Sequence, residues 1–248
     1  PHDLLPPEIT VLERGWLSAN NILFIGHHDT AIVDTGYCSH ADQTVDLVRG
    51  TLQGRALDRI LNTHLHSDHC GGNAALQAAW PGVQTAIPPG QAAHVRDWDP
   101  YALSYTPTGQ ECPQFRCDAV LQPGSEVPLG DKPWQVHAAP GHDPHSIVLF
   151  EPQDRILISA DALWENGFGV VFPELEGAQA FAEVSDTLDL IEKLAPDSAR
   201  GRTWERLRTS RTLWLQLAAV LVGTVLMCTL AGALATRRLA RADPADLF

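Results

Sequence analysis

The sequence is short of cysteine and of positive charge. Its five cysteines (Cys38, Cys70, Cys112, Cys117 and Cys228) are odd in number and scattered through 248 residues. That argues against a small scaffold stapled by disulfides. Lysine and arginine together number 17 against 30 aspartates and glutamates, a formal charge of −13. A deficit of that size argues against a nucleic-acid partner. The opening Pro1-His2-Asp3-Leu4-Leu5-Pro6-Pro7 lacks the basic start and long apolar run of a secretion signal, so the body of the chain is expected in the cytoplasm. No internal repeat of fixed period is found. Hydrophobic residues make up 44% and charged residues 19%, enough apolar material for a proper core.

Charge is unevenly spread. Residues 196–248 carry eight arginines and four acids, a net of +4, which leaves −17 on residues 1–195. An acidic body with a basic tail suggests two parts in different surroundings. Within the tail, residues 213–235 form a 23-residue run without a charge, flanked by five arginines before and three after. A run of about 20 such residues is long enough to cross a bilayer core. The expectation is a C-terminal apolar helix that could anchor the body to the inner membrane, with the body on the cytoplasmic side.

The body alternates strands and helices. Asn21–Ile25 and Thr30–Asp34 are two apolar runs around Gly26-His27-His28-Asp29, which reads as a hairpin. Ala41, Val45, Val48 and Leu52 recur at helical spacing over about residues 40–53, Arg59–Thr63 reads as a short strand, and Asn73–Trp80 as a second helix. Residues 88–123 show weak periodicity and read as an irregular excursion, with Trp98 and Tyr101 as lid candidates and with Cys112 and Cys117 read as free thiols, a metal clip or a disulfide being the alternatives. Strands resume at Trp134–His137, Ser146–Phe150 and Arg155–Ser159. Phe181, Val184, Leu188, Ile191 and Leu194 mark one stripe of a later helix.

The chemistry concentrates in Thr63-His64-Leu65-His66-Ser67-Asp68-His69-Cys70-Gly71-Gly72. Three imidazoles and a carboxylate within six residues are all ligand types for zinc or iron. In an extended run His64 and His66 face the same way; a turn then lets Asp68 and His69 face a second cation. Gly71 and Gly72 allow the backbone to bend into the following helix. Two further candidates fall at strand ends, where α/β sheets assemble sites. His142 completes a three-histidine set with His64 and His66, and Asp161 has two oxygens with which to bridge. Cys70 is expected to pack beneath the site, His145 to lie outside the ligand set, and His27, His28, His40 and His94 to sit on the surface. Trp164 and Phe168 follow Asp161 closely and are candidates to line a substrate pocket.

These residues resemble the metallo-β-lactamase-fold hydrolase superfamily. The hallmark HxHxDH is matched by His64, His66, Asp68 and His69, the downstream histidine by His142 and the bridging aspartate by Asp161; Asp34-Thr35-Gly36 resembles the family's early Asp-x-Gly turn. Glyoxalase II, lactonases, alkylsulfatases and ribonuclease Z share the motif. The resemblance covers about residues 10–195 and implies an αββα sandwich with a metal pair at one edge of its sheets. It further implies a zinc-dependent hydrolase with one or two ions (iron or manganese as alternatives), in which Asp68 ligates and orients the attacking water and a small molecule with an ester, thioester or lactone bond is cleaved. An oxygen-reducing diiron reading of the same fold calls for a carboxylate where His66 stands, and for a flavin module.

One departure stands out. The family usually adds a histidine in a final strand after the bridging aspartate, and no histidine follows His145 here. The sandwich is therefore expected to lack its last strand. The residues from Ala235 to Phe248, with Arg237-Arg238 and Asp243-Pro244, resemble the end of an ABC-transporter permease subunit. The expected organisation is a hydrolase domain over 1–197, a basic linker over 198–212, the apolar helix over 213–235 and a basic tail over 236–248. The alternative reading is a catalytically impaired metal-binding or membrane-anchored hybrid.

Overall fold

The computed structural model describes residues 5–15, 18–164, 167, 169–171 and 179–194, all within one compact unit that spans residues 1–196. The first sheet contains β1 (Ile9–Leu12), β2 (Asn21–Ile25), β3 (Thr30–Val33), β4 (Arg59–Leu61), β5 (Gln84–Ile87) and β6 (Ala119–Val120), hydrogen-bonded in that order. The expected hairpin is β2–β3, and β1 adds to it as a third antiparallel strand. From β3 to β6 the pairing turns parallel. Each parallel step requires a crossover. These are supplied by α1 (Ala41–Leu52), by α2 (Ser67–Cys70) with α3 (Asn73–Ala79), and by α4 (Ala92–Asp97) with α5 (Tyr105–Thr108). The second sheet is antiparallel and contains β7 (Glu126–Leu129), β8 (Lys132–Ala138), β9 (Ile147–Glu151) and β10 (Ile156–Ile158), in the spatial order β10-β9-β8-β7. The helix α6 (Ala180–Leu194) follows.

The period of two along each strand decides which layer a side chain joins. In β2 to β4, Phe24, Ala31, Val33 and Leu61 face the second sheet and meet Leu129, Trp134, Val136, Ile147, Leu149 and Ile158. Their neighbours Leu23, Ile32 and Ile60 face the other way and pack under Val48 and Leu52 of α1 and Leu76 of α3. Both faces of the first sheet are therefore covered, which is why its strands read as continuous apolar runs rather than alternating ones. A mixed α/β sandwich with helices outside two facing sheets is the result.

Five expectations are corrected or bounded. The stretch 88–123 is not one irregular loop: α4, α5 and β6 lie in it, and Val95, Leu103, Tyr105 and Phe115 join Leu65, Cys70 and Ile87 in a third buried cluster. Its helices are only 4 to 6 residues long, too short to show a period. Trp98 is not a lid, because its ring packs on Tyr105 and Phe115 at 6.2 and 5.5 Å; Tyr101 is 71% exposed. Phe181 is exposed, and α6 buries Ala180, Thr187 and Ile191 instead. No helix among the described residues is long and apolar enough to cross a membrane, and the run at 213–235 lies outside those residues. So does the region where a last strand would stand.

Trp134 is the largest side chain of the inter-sheet core. Its ring meets Phe24 edge-on at 5.2 Å, and its indole N–H donates to the Leu129 carbonyl at 3.1 Å. Trp134→Ala is expected to destabilise the fold by about 3–5 kcal/mol through the cavity and the orphaned carbonyl. Urea denaturation with an unchanged m-value checks this.

Candidate metal centre

The candidate ligands lie in segments that begin just past strand ends. Asp34 follows β3, His64 follows β4, His142 follows β8 and Asp161 follows β10. The two sheets are joined at this edge by a bond from Ile147 N–H to the Thr63 carbonyl at 2.9 Å. His66 is the last extended residue before α2, which carries Asp68 and His69 in a single turn.

Gly71 and Gly72 serve this turn differently from the expectation. Both have ordinary right-handed backbone angles. What they provide is closeness: a Cβ on Gly71 would stand 2.5 Å from Cys38 N and Ser67 O, and one on Gly72 2.5 Å from Thr35 O. The segment 35–38 can therefore lie directly against α2. There the His69 carbonyl accepts from Thr35 N–H at 2.7 Å and from the Asn62 side chain at 3.0 Å.

The structure brings His64, His66 and His142 together. His66 Nδ1 lies 3.1 Å from His64 Nε2 and 2.9 Å from His142 Nε2. His142 Nδ1 donates to the Val170 carbonyl at 2.6 Å, so in the neutral ring Nε2 presents a lone pair. A proton on His66 Nδ1 can serve only one of its two neighbours, whereas a cation serves all three nitrogens. Burial, with His142 and His69 next, lowers His66 to about 3. Burial, with His69, His66 and His142, also pushes His64 well below the usual histidine value. A largely buried imidazole triad, with His64 and His66 held neutral, is what a transition-metal ion needs.

A second group contains His64, His69 and Asp161, whose donor atoms lie within 4.8 Å of one another. His69 Nδ1 donates to Asp34 Oδ2 at 2.7 Å. Its Nε2 is buried without a hydrogen-bond partner and lies 3.5 Å from both Asp68 Oδ2 and Asp161 Oδ1. A buried nitrogen aimed at a gap between two carboxylates fits a cation. Asp161 faces both groups, since its Oδ2 lies 3.2 Å from His142 Nε2. Asp68 therefore joins the second group through His69 and stands at its margin. Burial alone would lower His69, but Asp34 and Asp161, with Asp68 behind them, raise it well above an ordinary histidine. Asp161 is held at about 2 against its burial by His69, by His142 and by the Trp164 indole. Burial raises Asp68, against the pull of His69.

Two carboxylates of the site carry no site role in the sequence expectations, where Asp34 is only part of a turn and Asp143 is not named. Asp34 accepts from Thr63 N–H at 2.9 Å, from Thr63 Oγ1 at 2.8 Å and from His69, all in the interior. It adopts φ +58°, a left-handed conformation that bulky residues avoid. The signal for it is Asp34-Thr35-Gly36, which taken as a turn alone leaves the inward carboxylate without a role. Asp143 is buried with Oδ2 3.8 Å from His66 Nε2, behind the nitrogen that faces His64 and His142. Nothing in its spacing marks it. Cys70 packs beneath the turn as expected. Trp164 is 43% exposed and donates to Asp161 Oδ1 at 3.1 Å. Phe168 lies outside the described residues.

The sequence profile of the metallo-beta-lactamase superfamily matches residues 14–208, and so ends before the apolar run at 213–235. A hydroxyacylglutathione hydrolase from Anaeromyxobacter dehalogenans is 32% identical over 136 residues, which are 55% of this chain and 43% of that protein. The chain thus spans under half the length of that relative. An acyl-coenzyme A thioesterase from Homo sapiens is 26% identical over 211 residues, covering 77% of this chain and 73% of that one. Among solved structures, a metallo-beta-lactamase family protein from Thermus thermophilus superposes with a TM-score of 0.68 at 19% identity, over 87% of this chain and 83% of the other.

Two outcomes test this geometry. Asp34→Asn keeps a residue that tolerates positive φ but removes the negative partner of His69; cation affinity is expected to fall about 10–100-fold, read by competition with a chelator. The second concerns pH. His66, lowered to about 3, leaves the metal-free fold binding fewer protons than the unfolded chain, so this group removes stability as pH falls from 6.5 towards 3. His69, raised, acts oppositely: it stabilises the metal-free fold below 6.5, and the contribution is lost as pH rises through its folded value. A cation on the His69 face must displace that proton. Calorimetry at pH 7 in buffers of different ionisation heat is expected to show about one proton released with the second equivalent, and weaker binding as pH falls.

Proposed function

Since this chain belongs to the metallo-beta-lactamase superfamily, we propose that it is a metal-dependent hydrolase of small thioester-type substrates, with zinc as the cation. The observation that carries this reading is the meeting of His64, His66 and His142 beside the partnerless Nε2 of His69. His64, His66 and His142 would hold one ion, and Asp68, His69 and Asp161 a second. Such ions, when bound, supply hydroxide from water near neutral pH and draw electrons from a carbonyl oxygen.

The chain's own residues do the positioning. Asp34 fixes the tautomer of His69, and the Val170 carbonyl fixes that of His142. Asp68, partly exposed at the margin, would accept a hydrogen bond from the attacking water and set its direction. Trp164 leaves nearly half its surface open to solvent beside Asp161, where it would border the acyl group of a substrate. Phe168 is assigned to the same border by sequence position. A thiolate departs without a proton donor far more readily than an alkoxide does. A thioester therefore asks less of the centre than an ester or a lactone does, because its leaving group needs no proton. The two named relatives point the same way, one towards a glutathione thioester and one towards an acyl-coenzyme A.

A second reading rests on one observation: no histidine follows His145 to complete the second ion's ligands. The chain would then hold one ion and turn over slowly or not at all. Elemental analysis with hydrolysis of a glutathione thioester, an acyl-coenzyme A and a simple ester separates the two. Two equivalents with thioester turnover, lost at least about 100-fold in His64→Ala, is the expected result. Unchanged turnover in that variant overturns the hydrolase reading.

A further inference from the structure

The excursion after β5 grips the ligand turn and the neighbouring 35–38 segment through three consecutive residues. Gln110 Oε1 accepts from Ser67 N–H at the start of α2, at 3.0 Å. The Glu111 carbonyl accepts the Cys38 thiol at 3.3 Å. Cys112 Sγ then lies 3.7 Å from Cys70 Sγ. Cys70 is fully buried, directly after His69, and its sulfur is held near the Leu65 and His66 carbonyls and 3.2 Å from Tyr105 Oη. The Tyr105 hydroxyl donates to the Leu65 carbonyl at 2.9 Å, which fixes the wall behind both sulfurs. Cys112 is half-buried and reachable from solvent, whereas Cys70 is not. Neither thiol has a task in the hydrolysis proposed above.

We propose that Cys70 and Cys112 form a reversible disulfide under hydroperoxide, a modification site set against the helix that carries Asp68 and His69. Sulfurs already in contact must close to about 2.05 Å. Cys112 can supply that shift, because residues 110–118 form neither helix nor strand. Cys112 attacks first, being the less buried partner; its thiol is also lowered below the usual value, chiefly by the hydrogen bond from Cys70. Its sulfur takes the terminal oxygen of the hydroperoxide, the O–O bond breaks, and the alkoxide or hydroxide leaves with a proton. Cys112 is then a sulfenic acid. Cys70 sulfur attacks it, the S–S bond forms, and the departing hydroxide takes the Cys70 proton as water. Two thiols lose two electrons and the peroxide bond gains them. Cys38 is a poorer partner, because its thiol is turned to the Glu111 carbonyl.

The test is peptide mapping by mass after the metal-loaded full chain meets one equivalent of hydrogen peroxide. A Cys70–Cys112 cross-linked peptide, two hydrogens lighter than the free pair and released by dithiothreitol, is expected. It should persist in Cys38→Ser and vanish in Cys112→Ser, whose half-buried site tolerates the change. A Cys38–Cys112 link, Cys112 stopped at the sulfinic acid, or thiols left unchanged would each overturn the assignment. The readout is a mass, so it stands or falls separately from the hydrolase reading.

Discussion

The Asp34 carboxylate is the contact on which the candidate centre depends. It is buried, it takes three hydrogen bonds from two partners, and those partners belong to different pieces of chain. Thr63 extends from β4 and His69 rides on α2, while Asp34 itself ends β3. One side chain thus registers a strand end against a neighbouring strand and against a helix. A buried carboxylate without such donors would be expensive; with them it becomes a fixed reference point. The glycines at 71 and 72 serve the same end by letting α2 lie on the 35–38 segment. A second left-handed residue, Ala160 with φ +44°, directly precedes Asp161. Left-handed backbone therefore sits at Asp34 and directly before Asp161, two of the three aspartates that face His69, held by the packing around it.

Much of this was legible in residue order. The cluster from His64 to His69 announced itself because four ligand-type side chains at that spacing have few other uses. The β2–β3 hairpin and α1 were legible because local pattern and tertiary burial agree: apolar runs meet a polar turn, and Val48 and Leu52 fall on the face that packs on Leu23 and Ile32. His142 and Asp161 could be named because they follow strands, but the sequence alone held no distance between them and His64.

The misses have physical causes. In α4 and α5 the chain is governed by the pocket it fills, not by its own period, so Trp98 looked free although Tyr105 and Phe115 claim it. Phe181 fits a helical stripe, yet α6 turns Thr187 inwards because the Thr187 hydroxyl donates to the Pro140 carbonyl at 2.8 Å. Asp143 was invisible because a carboxylate that stands behind a ligand has no fixed offset from it in sequence.

The donors in the centre come from both layers of the sandwich: His64, His66 and His69 from the first sheet's edge, His142 and Asp161 from the second's. Any ion seated there is a rivet through the two layers, adding to the Ile147–Thr63 bond at the same rim. Its binding free energy becomes folding free energy. Thermal endurance would then track the supply of free cation, and starvation for the metal would loosen the architecture along with the chemistry.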